Sequence, residues 1–310
     1  MYHIIINPAS RSGKGKALWK SVVKPYLVSH KIKYHAYFSK QPGDVSRLAE
    51  KVSAFGTPDT PVQLVILGGD GTFNETLQGI QDFSSVILGY VPTGSSNDFA
   101  RDLRIPKDRA KAVEIAFRTG TLHQMDIGCA TFPDASKRYF AVSCGMGFDA
   151  AVCEETNRSA FKKALNRIGL GKLAYLAIAV KQLLLAKTVS CAISMDGAKP
   201  FTIPKYLLLA CMNHRYEGGG FKFCPDAVDD DGILDICSAA KILPKWVILL
   251  VLPSAFFGKH FLFPGIIPYK AKTLELRFSA PVWIHTDGEV LRKDDHVSIT
   301  CLHKVLNIRS

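Results

Sequence analysis

Two short stretches set glycines, hydroxyls and carboxylates at spacings suited to phosphate chemistry. In "VQLVILGGDGTFNETLQGI", residues 62–80, an apolar run stops at Gly68, Gly69, Asp70 and Gly71 before apolar residues resume with helical spacing. Bare glycines let the main chain approach phosphate oxygens closely and take positive φ. The helix that follows offers unpaired N–H groups and the positive end of its dipole. Asp70 can hold a metal ion or a metal-bound water. Thr72 and Glu75 have capping-box spacing, which predicts a helix entered at Thr72.

The second stretch, "VILGYVPTGSSNDFAR", repeats strand, Pro-Thr-Gly-Ser turn and helix start. Thr93, Ser95 and Ser96 supply donors there, and Asp98 lies three residues beyond Ser95. A third loop, "NPASRSGKGK", brings Asn7, Ser10 and main-chain amides after the first strand. It is neither a Walker A loop nor a G-x-G-x-x-G fingerprint. Any one of these loops alone could be a plain strand-to-helix turn; their recurrence is what points to a ligand.

The elements needed to position them follow from the hydrophobic pattern. Strands "YHIIIN", "KYHAYFS", "VQLVILGG" and "VILGYVP" alternate with helical segments at 16–30, 43–56, 72–80 and 96–103. Strands nearly continuous in Ile, Val and Leu predict a mostly parallel sheet covered on both faces, a doubly wound α/β domain. In such sheets ligands gather at the carboxyl ends of the strands. After residue 124 short strands and Asp-Gly turns predict a second, mainly antiparallel β-sandwich with inserted helices at 159–187 and 243–258. The expected division is 1–124 plus about 303–310 for the α/β domain and 125–302 for the sandwich.

Composition narrows the partners. Lys and Arg number 39 against 27 Asp and Glu, a net charge of +12 that attracts polyanions. There is no paired Cys/His metal spacing, aromatic RNP-like string or long basic run, so nucleic acid is not expected. The eight cysteines are scattered through apolar runs, never as C-x-x-C, and no secretory leader precedes "MYHIIINP"; both predict a reducing cytoplasm. The apolar stretch "WVILLVLPSAFFG" contains a proline and falls short of the ~20 residues a membrane span needs.

Taken in order, "NPASRSGKGK", "LGGDGTFNET", "VPTGSSNDFAR", "CPDAVDDDGILDI" and "HTDGEVL" closely resemble the motifs of the diacylglycerol kinase catalytic-domain family of lipid kinases, along essentially the whole chain. The resemblance implies an ATP-dependent kinase whose final strand returns to the first domain, with the active site in the cleft between domains. It implies nucleotide contacts from Asn7, Pro8, Ala9, Ser10 and Arg11, and from Ser39, where the family usually has Thr. It extends them to Gly68, Gly69, Asp70, Gly71, Thr72, Phe73, Asn74 and Glu75, and to Thr93, Gly94, Ser95 and Asn97. "GSSND" departs from the commoner Gly-Thr-x-Asn-Asp but keeps a hydroxyl at Ser95.

The same resemblance makes Glu289, beside Asp287, the acceptor of the proton from the attacking hydroxyl, with Asp70 as the other catalytic carboxylate. Which of Asp70 and Glu289 is the base stays open. Asp-Gly also occurs at 196, where it reads as a hairpin turn, so a hairpin is the competing reading of 287. A structural Mg²⁺ is implied at Asp231 with the carbonyls of Val228 and Ile233, and Asp229 and Asp230 compete for that role.

Two apolar stretches, 170–187 and 246–269, are flanked by basic residues. Core packing explains most of their residues, yet apolar surface ringed by cations suits an enzyme that docks peripherally on an anionic bilayer. The leading expectation is phosphoryl transfer from ATP to diacylglycerol, giving phosphatidic acid, by a peripherally membrane-associated cytoplasmic enzyme with a homodimer as one assembly to test. The alternatives are an NAD kinase-like nucleotide kinase and a non-catalytic nucleotide or lipid sensor.

Overall fold

The computed structural model describes residues 1–94, 97–158, 171–186, 188–240, 244, 247–248 and 251–310, apart from the side chains of 12, 171–176 and 252. Strands β1 (Tyr2–Ile6), β2 (Tyr34–Phe38), β3 (Val62–Gly68) and β4 (Val86–Pro92) form a parallel sheet in the order β2-β1-β3-β4. Its two faces divide the apolar run cleanly. Ile5, Leu64 and Ile66 enter one core with Phe73, Leu77 and Val45, whereas Ile4, Ile6, Val65 and Leu67 enter another with Leu18, Trp19 and Phe117. Burial on both faces is why these strands need no polar alternation.

The helices on those faces are α1 (Ser10–Leu18), α2 (Lys24–Ser29), α3 (Asp44–Ser53), α4 (Asp70–Gly79), α5 (Asp98–Asp102) and α6 (Arg109–Glu114). Helical structure starts at Ser10, six residues earlier than the pattern predicts, because the polar, glycine-containing first turn shows no hydrophobic face. Helix α6 was not predicted; Asp108 caps it by accepting the N–H groups of Ala110 and Lys111 at 2.9 and 3.0 Å. Helix α4 begins at Asp70, so Thr72 lies inside its first turn and no capping box forms. Instead Glu75 Oε1 accepts the Val45 N–H at 3.2 Å, serving the start of α3.

The second half is antiparallel: β5 (Leu122–Thr131), β6 (Lys137–Phe140), β7 (Ser143–Gly147), β8 (Val189–Met195), β9 (Phe201–Met212), β10 (Leu234–Ala240), β11 (Ile266–Ala271), β12 (Thr273–Thr286) and β13 (Glu289–Arg309). Strands β7, β9, β8 and β12 pair in a closed ring around Met146, Tyr206, Leu209, Leu276 and Ile284. Strands β6 and β7 are separated by Ala141–Val142, and helix α7 (Phe148–Arg158) follows β7. Helix α8 (Gly171–Leu185) carries the described part of the helix predicted over 159–187; residues 159–170 lie outside the described residues. Over the predicted helix at 243–258 the described residues are α-helical at 247, 248 and 251 and continue as a 3₁₀ turn, Leu252–Phe257.

Strand β13 ties the two halves together. It starts at Glu289, pairs antiparallel with β12 and β5, and ends parallel to β4 through Asn307–Arg309. A single strand thus fixes Glu289 relative to the α/β sheet.

Candidate active site

Three loops at the carboxyl ends of β1, β3 and β4 are laced to one another. The Asn7 N–H donates to Leu67 O at 3.0 Å and the Thr93 N–H to Gly68 O at 2.8 Å. Asn7 Nδ2 donates to Thr72 Oγ1 at 3.0 Å, and the hydroxyls of Ser10 and Thr93 lie 2.7 Å apart. Gly69 and Gly94 meet back to back: a Cβ on Gly69 would come within 3.2 Å of Gly94 Cα. Only bare main chain allows that approach.

These loops form one wall of a cleft of about 930 Å³. Asn7, Pro8, Ala9, Ser10 and Arg11 line it, with Ser39, Gly69, Gly71 and Thr72; so do Asn74, Glu75 and Gly94. Gly68, Asp70, Thr93 and Asn97 stand behind that surface and hold it. Phe73 does not face the cleft; it is buried against Tyr90 and Phe99 in the core, so its assignment to the nucleotide is corrected to packing. Ser95 and Ser96 lie outside the described residues.

Glu289 closes the opposite wall. A Cβ on Gly71 would meet Glu289 Oε1 at 2.8 Å, so the carboxylate rests over the first turn of α4. Loss of hydration pushes the Glu289 carboxyl above the ordinary glutamate range; Arg138 opposes the shift, while Glu75 and Asp287 add to it. A carboxyl poised upward beside a helix N-terminus can accept a proton near neutral pH.

Asp70 is more enclosed. Burial, followed by the charge of Asp98, raises it to about 7, although the main-chain N–H groups of Asp98 and Asn97 donate to it. The Tyr90 hydroxyl donates to its Oδ1 at 3.4 Å.

Asp287 has a different task. Its Oδ2 accepts from Asn74 Nδ2 at 2.8 Å and Ala141 N–H at 3.0 Å, and its Oδ1 from Val142 and Ser143 N–H at 2.8 and 3.0 Å. Four donors saturate the carboxylate, which corrects its reading from catalytic group to positioning residue. By drawing the N–H groups of 141–143 away from strand pairing it also explains the break between β6 and β7. The φ of +51° at Asp287 turns the chain so that Glu289 follows into the cleft.

The acidic loop is organised from below by Asp126. This fully buried carboxylate accepts the Gly232 N–H at 2.6 Å and the Lys304 N–H at 2.7 Å, and the Asp126 N–H donates to Asp229 O at 2.7 Å. Asp231 is exposed, and its Oδ1 accepts the Ile233 N–H at 3.0 Å. A carboxylate with main-chain carbonyls is the kind of oxygen donor set Mg²⁺ takes, so the chemistry of Asp231, Val228 and Ile233 suits such an ion. Among the described residues no group of three or more His, Cys, Asp or Glu could hold a metal.

Residues 1–130 match the family model described as the diacylglycerol kinase catalytic domain, and residues 142–309 match the YegS C-terminal NAD kinase beta sandwich-like domain. The chain belongs to the diacylglycerol kinase catalytic-domain family. Membership makes it an enzyme of the lipid kinase class. It is similar to the diacylglycerol kinase of Staphylococcus aureus (strain JH9), at 29% identity over 318 residues, covering 98% of this chain and 93% of the relative. A solved diacylglycerol kinase from Bacillus anthracis str. Sterne shares the fold with a TM-score of 0.68 at 20% identity, over 99% of this chain and 96% of that one. So does an NAD kinase from Archaeoglobus fulgidus solved in complex with ATP, with a TM-score of 0.51 at 14% identity over 100% and 94%.

Sequence reasoning missed the cleft residues Lys40, Gln41, Pro42, Gly43, Val45, Ser46, Gln78 and Arg138, of which Arg138 stands nearest the candidate base. Arg138 on β6 lines the cleft beside Glu75 and Glu289, its Nε is buried with no hydrogen-bond partner among the described residues, and burial lowers its pKa against the pull of Glu289, Asp287 and Glu75. Two bonds place it: Gln78 Nε2 donates to Tyr139 O at 2.9 Å, and the Tyr139 N–H donates to Gln78 Oε1 at 3.0 Å. "KRYF" carries no motif that announces this, because the clasp joins residues 61 apart.

Proposed function

We propose that the protein transfers the γ-phosphate of ATP to the hydroxyl of diacylglycerol, giving phosphatidic acid and ADP. The observation that carries the reading is the seat of the Glu289 carboxylate over the first turn of α4, across one cleft from the loops at Asn7–Arg11 and Gly94. The cleft's volume lies within the ~300–1,000 Å³ of small-ligand sites. Unpaired N–H groups at the start of α4 suit a triphosphate tail.

In the proposed step the lipid hydroxyl oxygen forms a bond to the γ-phosphorus, the bond from that phosphorus to the β-bridging oxygen breaks, and the hydroxyl proton passes to Glu289. Arg138 and the α4 amides stabilise charge on the transferring group. Asp70, behind the cleft wall, would hold a nucleotide-bound Mg²⁺, directly or through a water, and that ion would supply charge neutralisation on the phosphates. The second Mg²⁺, at Asp231 with the carbonyls of Val228 and Ile233, would brace the loop before β10. The lipid is presented at an anionic membrane surface, in keeping with the net charge of +12. No described helix is long and apolar enough to cross a membrane.

The test is transfer from γ-labelled ATP to a panel of diacylglycerol, sphingosine, phosphatidylglycerol, polyprenol and NAD. Label in phosphatidic acid, reduced by about 10²–10⁴ in Glu289→Gln with ATP binding kept, is the expected result. Label in NAD alone would assign the site to nucleotide phosphorylation.

A further inference from the structure

Among the described residues the most exposed large apolar side chains are Leu262 and Phe257, at 80% and 75%. They sit on two short 3₁₀ turns, Leu252–Phe257 and His260–Leu262, joined through Gly258 and Lys259. The segment is anchored. The Lys222 N–H donates to Ala255 O at 2.9 Å, His260 Nε2 lies 3.1 Å from Phe223 O, and Phe256 stacks on Phe221 at 3.8 Å. An anchored prong that holds large apolar tips in water marks an interaction site.

Cations flank it. Lys259, between the two tips, is exposed, and the Lys222 ammonium lies 5.7 Å from the Tyr216 ring, on which Arg101 and Arg215 also converge at 5.4 and 5.9 Å. Arg101 is paired with Asp98 and Arg215 with Asp102, both at 2.6 Å. Among the described residues no carboxylate lies within ion-pair distance of Lys222 or Lys259. The belt leads inward: the Gly219 N–H donates to Asp98 Oδ2 at 2.6 Å, and the Asp98 N–H donates to Asp70.

We propose that the Phe257–Leu262 prong inserts into an anionic phospholipid bilayer, with Lys222 and Lys259 against its headgroups, seating the cleft at the surface that supplies its substrate. This assignment deepens the lipid kinase reading and rests on it for its purpose. A bilayer fits better than a second copy of the chain, because two prongs meeting across a dimer would bring like cations together on chains of charge +12.

The test is co-sedimentation of the full chain with phosphatidylcholine vesicles, with and without phosphatidylglycerol. The wild type is expected to sediment only with the anionic vesicles. Phe257→Ser with Leu262→Ser should weaken that partition about tenfold or more, and Lys222→Glu with Lys259→Glu should abolish the preference for phosphatidylglycerol. Turnover of a short-chain diacylglycerol dispersed below its aggregation limit should be unchanged by the Phe257/Leu262 pair. Equal vesicle binding by that pair, binding of the wild type to neither vesicle, an equal loss of short-chain turnover, or an effect confined to a monomer–dimer equilibrium would each overturn the proposal. Failure of the wild type to phosphorylate any lipid would instead sink the kinase reading, and the vesicle partition would still decide docking.

Discussion

Gly71 and Glu289 divide one small space. A methyl at Gly71 would lie 2.8 Å from Glu289 Oε1, closer than a real contact tolerates, and what it meets is the far end of a flexible side chain. Gly71→Ala therefore has an unusual signature. Alanine gains up to about 1 kcal/mol over glycine within a helix, and Gly71 lies inside α4. Thermal unfolding should show equal or higher stability while transfer falls at least tenfold. Retained transfer would mean that Glu289 does not act from over α4.

The pH profile offers a second check at the same scale. Burial raises Glu289 above the ordinary glutamate range, so transfer should climb with pH through that raised pKa as the carboxylate becomes available to take a proton. In Glu289→Gln the low residual rate should lose that limb. An unchanged limb in the variant would assign it to another group, with Asp70, raised to about 7, the first to examine.

Among the elements, Asp287 decides how β6, β7 and α4 meet. Asn at 287 can still accept for two donors at one oxygen, but its amide group would face the N–H groups of Asn74 and Ala141 as a second donor. Leaving such donors unmet costs about 1–3 kcal/mol each, so Asp287→Asn should lower the urea midpoint and depress transfer together. Arg138→Gln should leave that midpoint close to wild type, since the Gln78–Tyr139 clasp uses main-chain groups at 139. It should reduce turnover about 100-fold, the scale of one lost charge-stabilising donor. Equal turnover would remove Arg138 from the transferring group.

These elements also show what can be read from order along the chain. Strands β1, β3 and β4 were legible because each is apolar on both faces, and the glycine turns were legible because phosphate chemistry and tight backbone approach ask for the same residues. Asn7, Ser10, Thr72 and Glu289 converge as the motifs implied. The rest depends on partners distant in sequence. Thr72 takes a bond from Asn7 where a capping box was expected, and Glu75 serves α3. Phe73 turns to the core because Tyr90 and Phe99 make an aromatic nest for it. Arg138 gains its place through a clasp to α4 that strand patterning cannot express.

At the scale of the whole molecule, the α/β sheet and the antiparallel half are joined by β13 and by a polar stitch at Asp102. That carboxylate, at the end of α5, accepts from His214 Nδ1 at 2.9 Å and from Arg215 Nε and N–H at 2.6 and 3.0 Å. Burial alone would raise Asp102, but the bonds and charges of His214 and Arg215 overcome it and hold the group down at about 2, against an ordinary 3.8. Between those values the unfolded chain binds more protons than the folded one. The stitch's contribution is therefore complete above pH 4 and is lost as pH falls through about 2. Asp102→Asn leaves Arg215, whose side chain is 35% exposed, without its ion partner and should cost about 1.5–2 kcal/mol at neutral pH, the low end for hydrogen bonds to a charged group. The wild-type advantage in urea midpoint should shrink as acid is added through that window, and an undiminished advantage at pH 2 would mean that Asp102 does not act through its charge. Because Asp98, four residues earlier on α5, gives its N–H to Asp70, loosening this stitch should also weaken transfer. A variant of lower stability but full turnover would separate the joint between the halves from the chemistry in the cleft.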